Sequence, residues 1–313
     1  MKIWQITPPA AMVNSIGEFF IRHGVALLWP GDSGRWAPDR YSEYGGNDRT
    51  KWFAETMADG DAILLRTGSA RIRAVGLVAG KYTYEDRFDD VHGFDLQHCR
   101  RVLWYRLPHD YEFGESVFTQ SRFSCVRKAS VREYVSKFLA SPPTHWREAL
   151  LPELPTEEPG LDRVPAVLEG IVAQAQDLAG LFLDRQNFGD YPTEDELVAH
   201  FVVPFLRALG WPPERIAVKW RYIDVAVFTA LPRTPGNCCF VIEAKRFGAG
   251  VEDALEQAKG YVESLGVSRD AIVTDGIRYR MYASERAFEP VAYANLIRLK
   301  QSAFNLFDRM KRT

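Results

Sequence analysis

Phe240-Val241-Ile242-Glu243-Ala244-Lys245 is the stretch on which the fold turns. Its side chains suit a strand, where successive residues leave on opposite faces. Glu243 and Lys245 then share one face. Phe240, Ile242 and Ala244 share the other, which is apolar enough to pack beneath a helix. Upstream, Ile223-Asp224-Val225-Ala226-Val227 reads the same way, with Ile223, Val225 and Val227 as its apolar face and Asp224 opposite. Pairing of these two strands would set Asp224 beside Glu243. Two carboxylates can hold a hard divalent cation through oxygen. A neighbouring positive group can position water and offset charge on a phosphate.

The segment ahead of these strands reads as a helix. Leu197, Val198, Phe201, Val202, Phe205, Leu206 and Leu209 recur at i, i+3, i+4 spacing and form one inward stripe. Glu194 lies three and four residues before Leu197 and Val198, so it extends that stripe toward the sheet. Glu196 falls on another face, three residues after Thr193, the spacing of a capping box with Thr193 as N-cap. The spacing therefore assigns Glu194 to the acidic cluster and Glu196 to the cap. Pro204 removes one helical hydrogen bond and is expected to kink the helix. Behind the strands, a helix over Asp253 to Leu265 puts Gln257 and Tyr261 on one face at i, i+4. Ala271 to Thr274 and Ile277 to Tyr282 read as strands joined at Asp275-Gly276, a favoured tight-hairpin dipeptide.

These residues, taken in order, resemble the PD-(D/E)xK nuclease superfamily, above all Mrr-like restriction enzymes and the nuclease domain of type I restriction subunits. The matching positions are Thr193-Glu194, Pro204 with Leu209-Gly210-Trp211, Asp224, Val241-Ile242-Glu243-Ala244-Lys245, Gln257 with Tyr261, and Thr274-Asp275-Gly276. The likeness spans about the last third of the chain. One departure is Ile223, where the motif has its naming proline, which is not a metal ligand. The resemblance implies an α/β core with a mixed central sheet flanked by helices. It also implies Mg²⁺ (or Mn²⁺) on Asp224 and Glu243, with Lys245 orienting or activating water. Glu194 then completes the acidic cluster, and Gln257 positions Lys245 or substrate.

The rest of the chain is consistent with a second domain, as 313 residues suggest. Lys2 to Thr7 reads as a strand stopped at Pro8-Pro9, Ser15 to Arg22 as a helix ended at Gly24, and Val25 to Trp29 as a strand. Asn47 to Met57 reads as a helix with Asn47 as N-cap. Further strands follow at Ala62 to Thr67, Ile72 to Gly80 and His98 to Leu107, then a helix at Val131 to Leu139. Ser141 to Pro159, rich in proline and acid, reads as a linker. Pro165 to Leu183 is apolar at helical spacing and either opens the second domain or bridges the two. Ala292 to Met310 reads as a C-terminal helix that covers the sheet or serves a partner.

This order resembles the EVE domain of the PUA-like superfamily, over roughly Met1 to Ala140. The residues carrying it are Lys2-Ile3-Trp4-Gln5-Ile6, Val25-Ala26-Leu27-Leu28-Trp29, Gly60-Asp61-Ala62-Ile63-Leu64-Leu65, Val75-Gly76-Leu77-Val78 leading to Tyr82 and Tyr84, and Arg100-Arg101-Val102-Leu103-Trp104. It implies a β-barrel with short helices that holds a modified base flipped into an aromatic cage. Stacking and edge hydrogen bonds hold such a base. Trp29, Trp36, Tyr82 and Tyr84 are candidate walls, and Asp32 and Ser33 candidate edge readers. Arg66, Arg71, Arg73, Arg100, Arg101, Arg122, Arg127 and Lys128 are candidate phosphate contacts.

Composition limits the alternatives. A formal net charge of −2 means that any nucleic-acid face is local. The four cysteines, Cys99, Cys125, Cys238 and Cys239, contain no CxxC pair and read as buried thiols of an intracellular, cytoplasmic protein, with Cys238 and Cys239 on opposite faces. No GxxxxGK[ST] loop is present, so no ATP or GTP use is expected. Neither a signal peptide nor a membrane span is evident in the sequence. The expected layout is an EVE-like reader over 1–140, a linker over 141–160 and a nuclease domain over 161–313. The expected protein is a type IV-like restriction endonuclease for double-stranded DNA carrying modified cytosine. It acts as a homodimer because each chain has one cutting site. The alternatives are a repair or RNA-processing nuclease with the same metal chemistry, and a reader that does not cleave.

Overall fold

The structure is a computed structural model that describes residues 1–8, 12–29, 31, 34–38, 48–143, 146–161, 163–184, 192–247, 251–267 and 269–312. The chain divides into two compact units, Met1–Glu157 and Glu158–Thr313.

In the first unit, β1 (Ile3–Ile6), β2 (Val25–Leu28), β3 (Ala62–Arg66), β4 (Arg71–Val78), β5 (Thr83–Tyr84), β6 (His98–Glu112) and β7 (Phe123–Cys125) build one mixed sheet. Its order is β2-β6-β4-β3-β1-β7, with β5 alongside β6. Only β1 and β3 run parallel; the other pairs are antiparallel. The 15-residue β6 makes the sheet curl into a half-barrel. Its first residues pair with β2 and β5, and its remainder pairs with β4, with a register shift between Ile72 and Ala74. Trp4, Ile6, Phe20, Ile63 and Val102 fill one face of the sheet, and Ile3, Leu64, Val75 and Leu107 the other.

Helix α1 (Val13–His23) buries Ile16 and Phe20. It ends at Gly24, whose left-handed φ of 58° glycine adopts without a Cβ clash. A Cβ there would also meet Pro152 at 2.7 Å. Helix α2 (Asp48–Lys51) continues as a π-turn over Trp52–Thr56; Asn47, its expected N-cap, lies outside the described residues. Helix α3 (Ala129–Ala140) buries Val131 and Val135 against the second face of the sheet.

The segment expected as a linker is partly docked onto this unit. Trp146 is buried against Phe138 and Tyr105. Arg87 donates to the Pro155 carbonyl at 3.0 Å, and Arg101 donates to that of Pro152. Proline and acidic content marked exposed chain, but these apolar anchors and carbonyls place the unit boundary at Glu157.

The second unit has α4 (Glu169–Leu183), α5 (Glu194–Leu197), a π-turn over Val198–Val202 and α6 (Val203–Ala208). Its strands are β8 (Ile216–Trp220), β9 (Ile223–Phe228), β10 (Cys238–Ala244), β11 (Asp270–Thr274), β12 (Arg278–Ala283) and β13 (Glu289–Asn295). Helix α7 (Leu255–Leu265) lies between β10 and β11, and α8 (Ala303–Met310) closes the chain. The sheet order is β13-β12-β11-β10-β9-β8. Strands β10 and β11 are parallel, joined by way of α7, and the other neighbours are antiparallel.

One sheet face packs on α4, α5, α6 and α8, the other on α7. Phe240, Ile242 and Ala244 lie in the first cluster and Val241 in the second, the alternation expected of β10. Val225 and Val227 also face the first cluster, but Ile223 packs into the second. It leaves the expected face because it directly follows a tight turn with Arg221 and Tyr222 at φ 52° and 71°. Residues Leu197 to Leu209 of the inward stripe are all at most 3% exposed. Each fully buried apolar side chain of this size contributes roughly 1.5–3 kcal/mol. Pro204 falls in the first turn of α6, straight after the π-turn, where its missing N–H is accommodated.

The C-terminal helix is shorter than expected. Residues 289–295 are instead the edge strand β13, and the chain turns where Asn295 Oδ1 accepts from Ile297 N at 3.0 Å. Residues Ala166–Leu183 are long and apolar enough to cross a membrane, yet Ile171, Val172, Ala175, Leu178 and Phe182 are buried in the core, as in a core helix. All four cysteines are free, with Cys238 and Cys239 packed to opposite faces of the sheet. Burial pushes the Cys99 and Cys238 thiols up to about 12.

Candidate active site

The β8–β9 hairpin delivers the first carboxylate. Trp220 pairs with Ile223 across the two residues Arg221-Tyr222, whose positive φ matches the tight turn that antiparallel strands favour. Asp224 follows at once, 6% exposed. Its Oδ2 accepts from Ala244 N at 2.8 Å, which ties β9 to the end of β10. Its Oδ1 accepts from Lys219 Nζ at 2.7 Å, and the same ammonium is 3.3 Å from Asp195. Lys219 has a φ of 52°, a left-handed conformation costly for a side chain of this size.

Glu243 sits beside Asp224, as the register requires. Ile242 is opposite Val225, and one step further along the antiparallel ladder brings Glu243 to Asp224. Glu243 is 1% exposed. Its Oε1 accepts from Lys245 Nζ at 2.5 Å, while Oε2 is buried without a hydrogen-bond partner. Burial pushes its carboxyl up to about 7. The negative charge of Asp224 adds to the rise, and Lys245 opposes it.

Lys245 is held from several sides. Its N–H donates to Thr274 O at 2.8 Å, fixing the backbone to β11. Its Nζ donates to Gln257 Oε1 at 3.1 Å, and Gln257 Nε2 donates to Tyr261 OH at 2.6 Å. Burial lowers the lysine pKa. The hydrogen bond and charge of Glu243, with the charges of Glu194 and Asp224, outweigh that and hold it above its ordinary value.

The capping box forms as the spacing predicts. Thr193 Oγ1 accepts from Glu196 N at 3.3 Å, and Glu196 Oε2 accepts from Thr193 N at 2.8 Å. That leaves Glu194 on the face expected of it. Glu194 lines an open cleft of about 610 Å³ with Thr193, Asp195, Lys219 and Arg246. The turn after β11 closes against the same helix. Gly276, at φ 86°, has no room for a Cβ, which would meet Leu197 at 2.8 Å.

Asp224, Glu243, Lys245 and Gln257 are thus brought together, with Glu194 at the cleft. Lys219 is an addition that periodicity did not single out, since nothing local marks a lysine that reaches its partner through a left-handed backbone. Among the described residues no group of three or more His, Cys, Asp and Glu side chains clusters as metal ligands. The donor set for a cation is therefore two carboxylates. These fit Mg²⁺, which takes one or two carboxylates and completes its shell with water and substrate oxygens. The partnerless Glu243 Oε2 is a donor suited to it.

In the first unit, Trp36, Tyr82 and Tyr84 gather around His98, which the sequence reading missed. Tyr82 OH is 2.8 Å from His98 Nδ1, and Tyr84 meets the same imidazole edge-on at 5.5 Å. Trp36 N donates to Tyr82 OH at 3.1 Å, and Trp36 Nε1 donates to Glu55 at 2.8 Å. Tyr84 OH donates to the Gly31 carbonyl at 2.6 Å. Trp29 is placed differently. It is 7% exposed in the core, and the Arg122 guanidinium lies 3.9 Å from its ring centroid. Asp32 and Ser33 lie outside the described residues.

Several candidate phosphate contacts have structural partners instead. Arg100 donates to the carbonyls of Phe53, Ala54, Met57 and Gly80, and Arg66 to those of Gly68, Gln120 and Ser121. Arg71 pairs with Glu112, Arg73 with Asp110, and Lys128 with Glu115.

The class these features define is a two-unit protein, a curled mixed half-barrel followed by a six-stranded mixed sheet that carries a carboxylate–lysine cluster. A family model described as a domain of unknown function (DUF8426) matches residues 34–124. That span lies within the first unit and includes Trp36, Tyr82, Tyr84 and His98. No curated protein matches the sequence.

Proposed function

We propose that the chain is a modification-dependent DNA endonuclease of the type IV restriction kind, with a PUA/EVE-like reader ahead of a PD-(D/E)xK nuclease core. The observation that carries this reading is the buried pair Asp224 and Glu243, one oxygen of which has no partner, with Lys245 bonded to the other oxygen of Glu243. A buried carboxylate with an orphaned oxygen costs stability unless something compensates it. Below about pH 7 a bound proton supplies that compensation, and above that an oxygen-seeking cation would.

Asp224 and Glu243 would hold Mg²⁺ or Mn²⁺, which supplies charge neutralisation and an acidified water when bound. Lys245 orients the attacking water and offsets negative charge on the phosphate. Gln257, itself held by Tyr261, fixes where the Lys245 ammonium points. Glu194 completes the acidic wall of the cleft. No ATP or GTP enters this chemistry.

The reader holds a flipped modified cytosine among Trp29, Trp36, Tyr82 and Tyr84. The protein acts in the cytoplasm on double-stranded DNA, as a homodimer so that both strands are cut.

The test is cleavage of matched duplexes that differ only in cytosine modification, with Mg²⁺ present. The modified duplex is cut and the unmodified one survives. Equal cutting of both would remove the reader, and no cutting at high enzyme would remove the nuclease.

A further inference from the structure

A cavity of about 390 Å³ opens on the first unit beside the edge strand β7 and takes no part in the reading above. Trp4 forms its floor, Trp52 a wall, Thr119 and Ser124 the back, and Lys2 and Arg127 the basic residues at its rim. In the sequence, Trp4 belongs to the stretch that carries the EVE resemblance, and Arg127 is one of the candidate phosphate contacts.

The floor and back are rigid. Trp4 is 2% exposed, stacked on Phe123 at 5.1 Å, and its Nε1 donates to Asp61 at 2.9 Å. Buried Gln5 holds the back by donating to Thr119 Oγ1 at 3.0 Å and to the Ser121 carbonyl at 2.6 Å. Thr119 and Ser124 hydroxyls then meet at 3.1 Å. The wall is different. Trp52 is among the few large apolar side chains left exposed, at 36%.

Both rim cations are exposed, and neither has an ion-pair partner among the described residues. Lys2 Nζ lies 5.9 Å from the Trp4 ring centroid. In contrast, Arg71, Arg73, Arg106 and Lys128 on this unit are all paired. An exposed indole lining one cavity with the two rim cations has the chemistry that binds an unpaired nucleotide, with the base on the ring and the phosphates on the cations.

We propose that this cavity is a second nucleic-acid site that takes one unpaired nucleotide of a single strand. It rests on the reading of the chain as a DNA-acting protein, and it names the strand state that this face engages. Opening a duplex around a flipped base creates such an unpaired partner. An acidic peptide is the competing class. It would gain nothing from the indole face, and β7 offers only three residues of edge for a peptide to pair with.

The measurement uses the full chain in EDTA, so that cleavage plays no part. A fluorescein-labelled single-stranded dT 12-mer is titrated by anisotropy, with the mononucleotide dTMP and a poly-glutamate peptide as competitors. The expected result is binding that Trp52→Ala weakens by about tenfold or more and Trp52→Phe largely retains. The double variant Lys2→Gln/Arg127→Gln should lower the salt slope by about 1.4, the value for two phosphate contacts on a single strand. Thermal melts check that each variant folds. Unchanged affinity and slope in folded variants would overturn the proposal, as would dTMP binding as tightly as the 12-mer or poly-glutamate displacing it at equal charge. Failure of the wild-type protein to cut duplex DNA with Mg²⁺ bears on the nuclease reading alone and leaves this measurement standing.

Discussion

The acidic cluster of the second unit and the aromatic group of the first are built in opposite ways. Around Glu243 a buried oxygen is left without a hydrogen-bond partner, and burial drives the carboxyl up to about 7. Around His98 the polar tips of Trp36, Tyr82 and Tyr84 each bond to a neighbour, and Trp29 lies beneath Arg122. A site that keeps an orphaned acceptor is arranged for something that supplies positive charge. A site whose polar tips are bonded must exchange those bonds for its ligand's. The proposed nuclease half therefore keeps one acceptor open beside an Asp224 whose two oxygens are already bonded, and the proposed reader half has to rearrange.

The largest effects should fall on the acidic side. Asp224→Ala and Lys245→Ala are each expected to lower cleavage of modified duplex about a thousandfold or more, given what charge stabilisation and proton transfer contribute. Binding to the same duplex in EDTA should change little. Gel assays of cleavage and anisotropy for binding separate the two, and cleavage near the wild-type rate in a folded variant would erase the contrast.

On the aromatic side the first expectation is structural. Trp29→Ala should cost about 3–5 kcal/mol of stability in urea unfolding, because the indole is a core group. It should also remove the preference for modified DNA. A folded variant that keeps the preference would leave Trp29 to the core, and Trp36, Tyr82 and Tyr84 as the walls to test.

A pH series sharpens the comparison without DNA. Glu243 holds its proton more tightly folded than unfolded. Its contribution is thus fully present below about pH 4.5 and is lost as pH rises through about 7. The loss is on the order of 3 kcal/mol. Unfolding midpoints in EDTA should fall across that window, Glu243→Gln should flatten the fall, and Mg²⁺ should suppress it. A wild-type slope identical to that of Glu243→Gln would contradict the buried-carboxylate account.

The smallest expected effect divides two neighbouring glutamates. Glu196→Ala should lower the melting temperature slightly through loss of the capping box and leave cleavage intact. Glu194→Ala should do the reverse. Equal loss of cleavage in both folded variants would dissolve the helix-face assignment.

Much of the second unit was legible because its signals are periodic. The two-residue alternation around Glu243, the i, i+4 stripe from Leu197 and the Thr193–Glu196 spacing each have one geometric meaning. What escaped has its cause elsewhere in the chain. Strand β7 is three residues long and exists by pairing with β1. The expected C-terminal helix runs into β13 because Leu296, Leu299, Phe304 and Phe307 set its spacing, whereas β12 recruits residues 289–295 as an edge. Arg66 and Arg100 look like surface cations, but their partners are carbonyls distant in sequence. Lys219 depends on a left-handed backbone, and lysine carries no local signal for one.

The most direct test of the central claim pairs wild type with Glu243→Gln on one modified duplex, with cleavage and Mg²⁺-induced thermal shift recorded on the same preparations. Glutamine keeps the size and the burial and removes the charge. The account predicts that Mg²⁺ raises the melting temperature of the wild type and supports its cleavage. Glu243→Gln should melt cooperatively, show little shift and not cut. Glu243→Gln cutting at near the wild-type rate with an undiminished Mg²⁺ shift would contradict it.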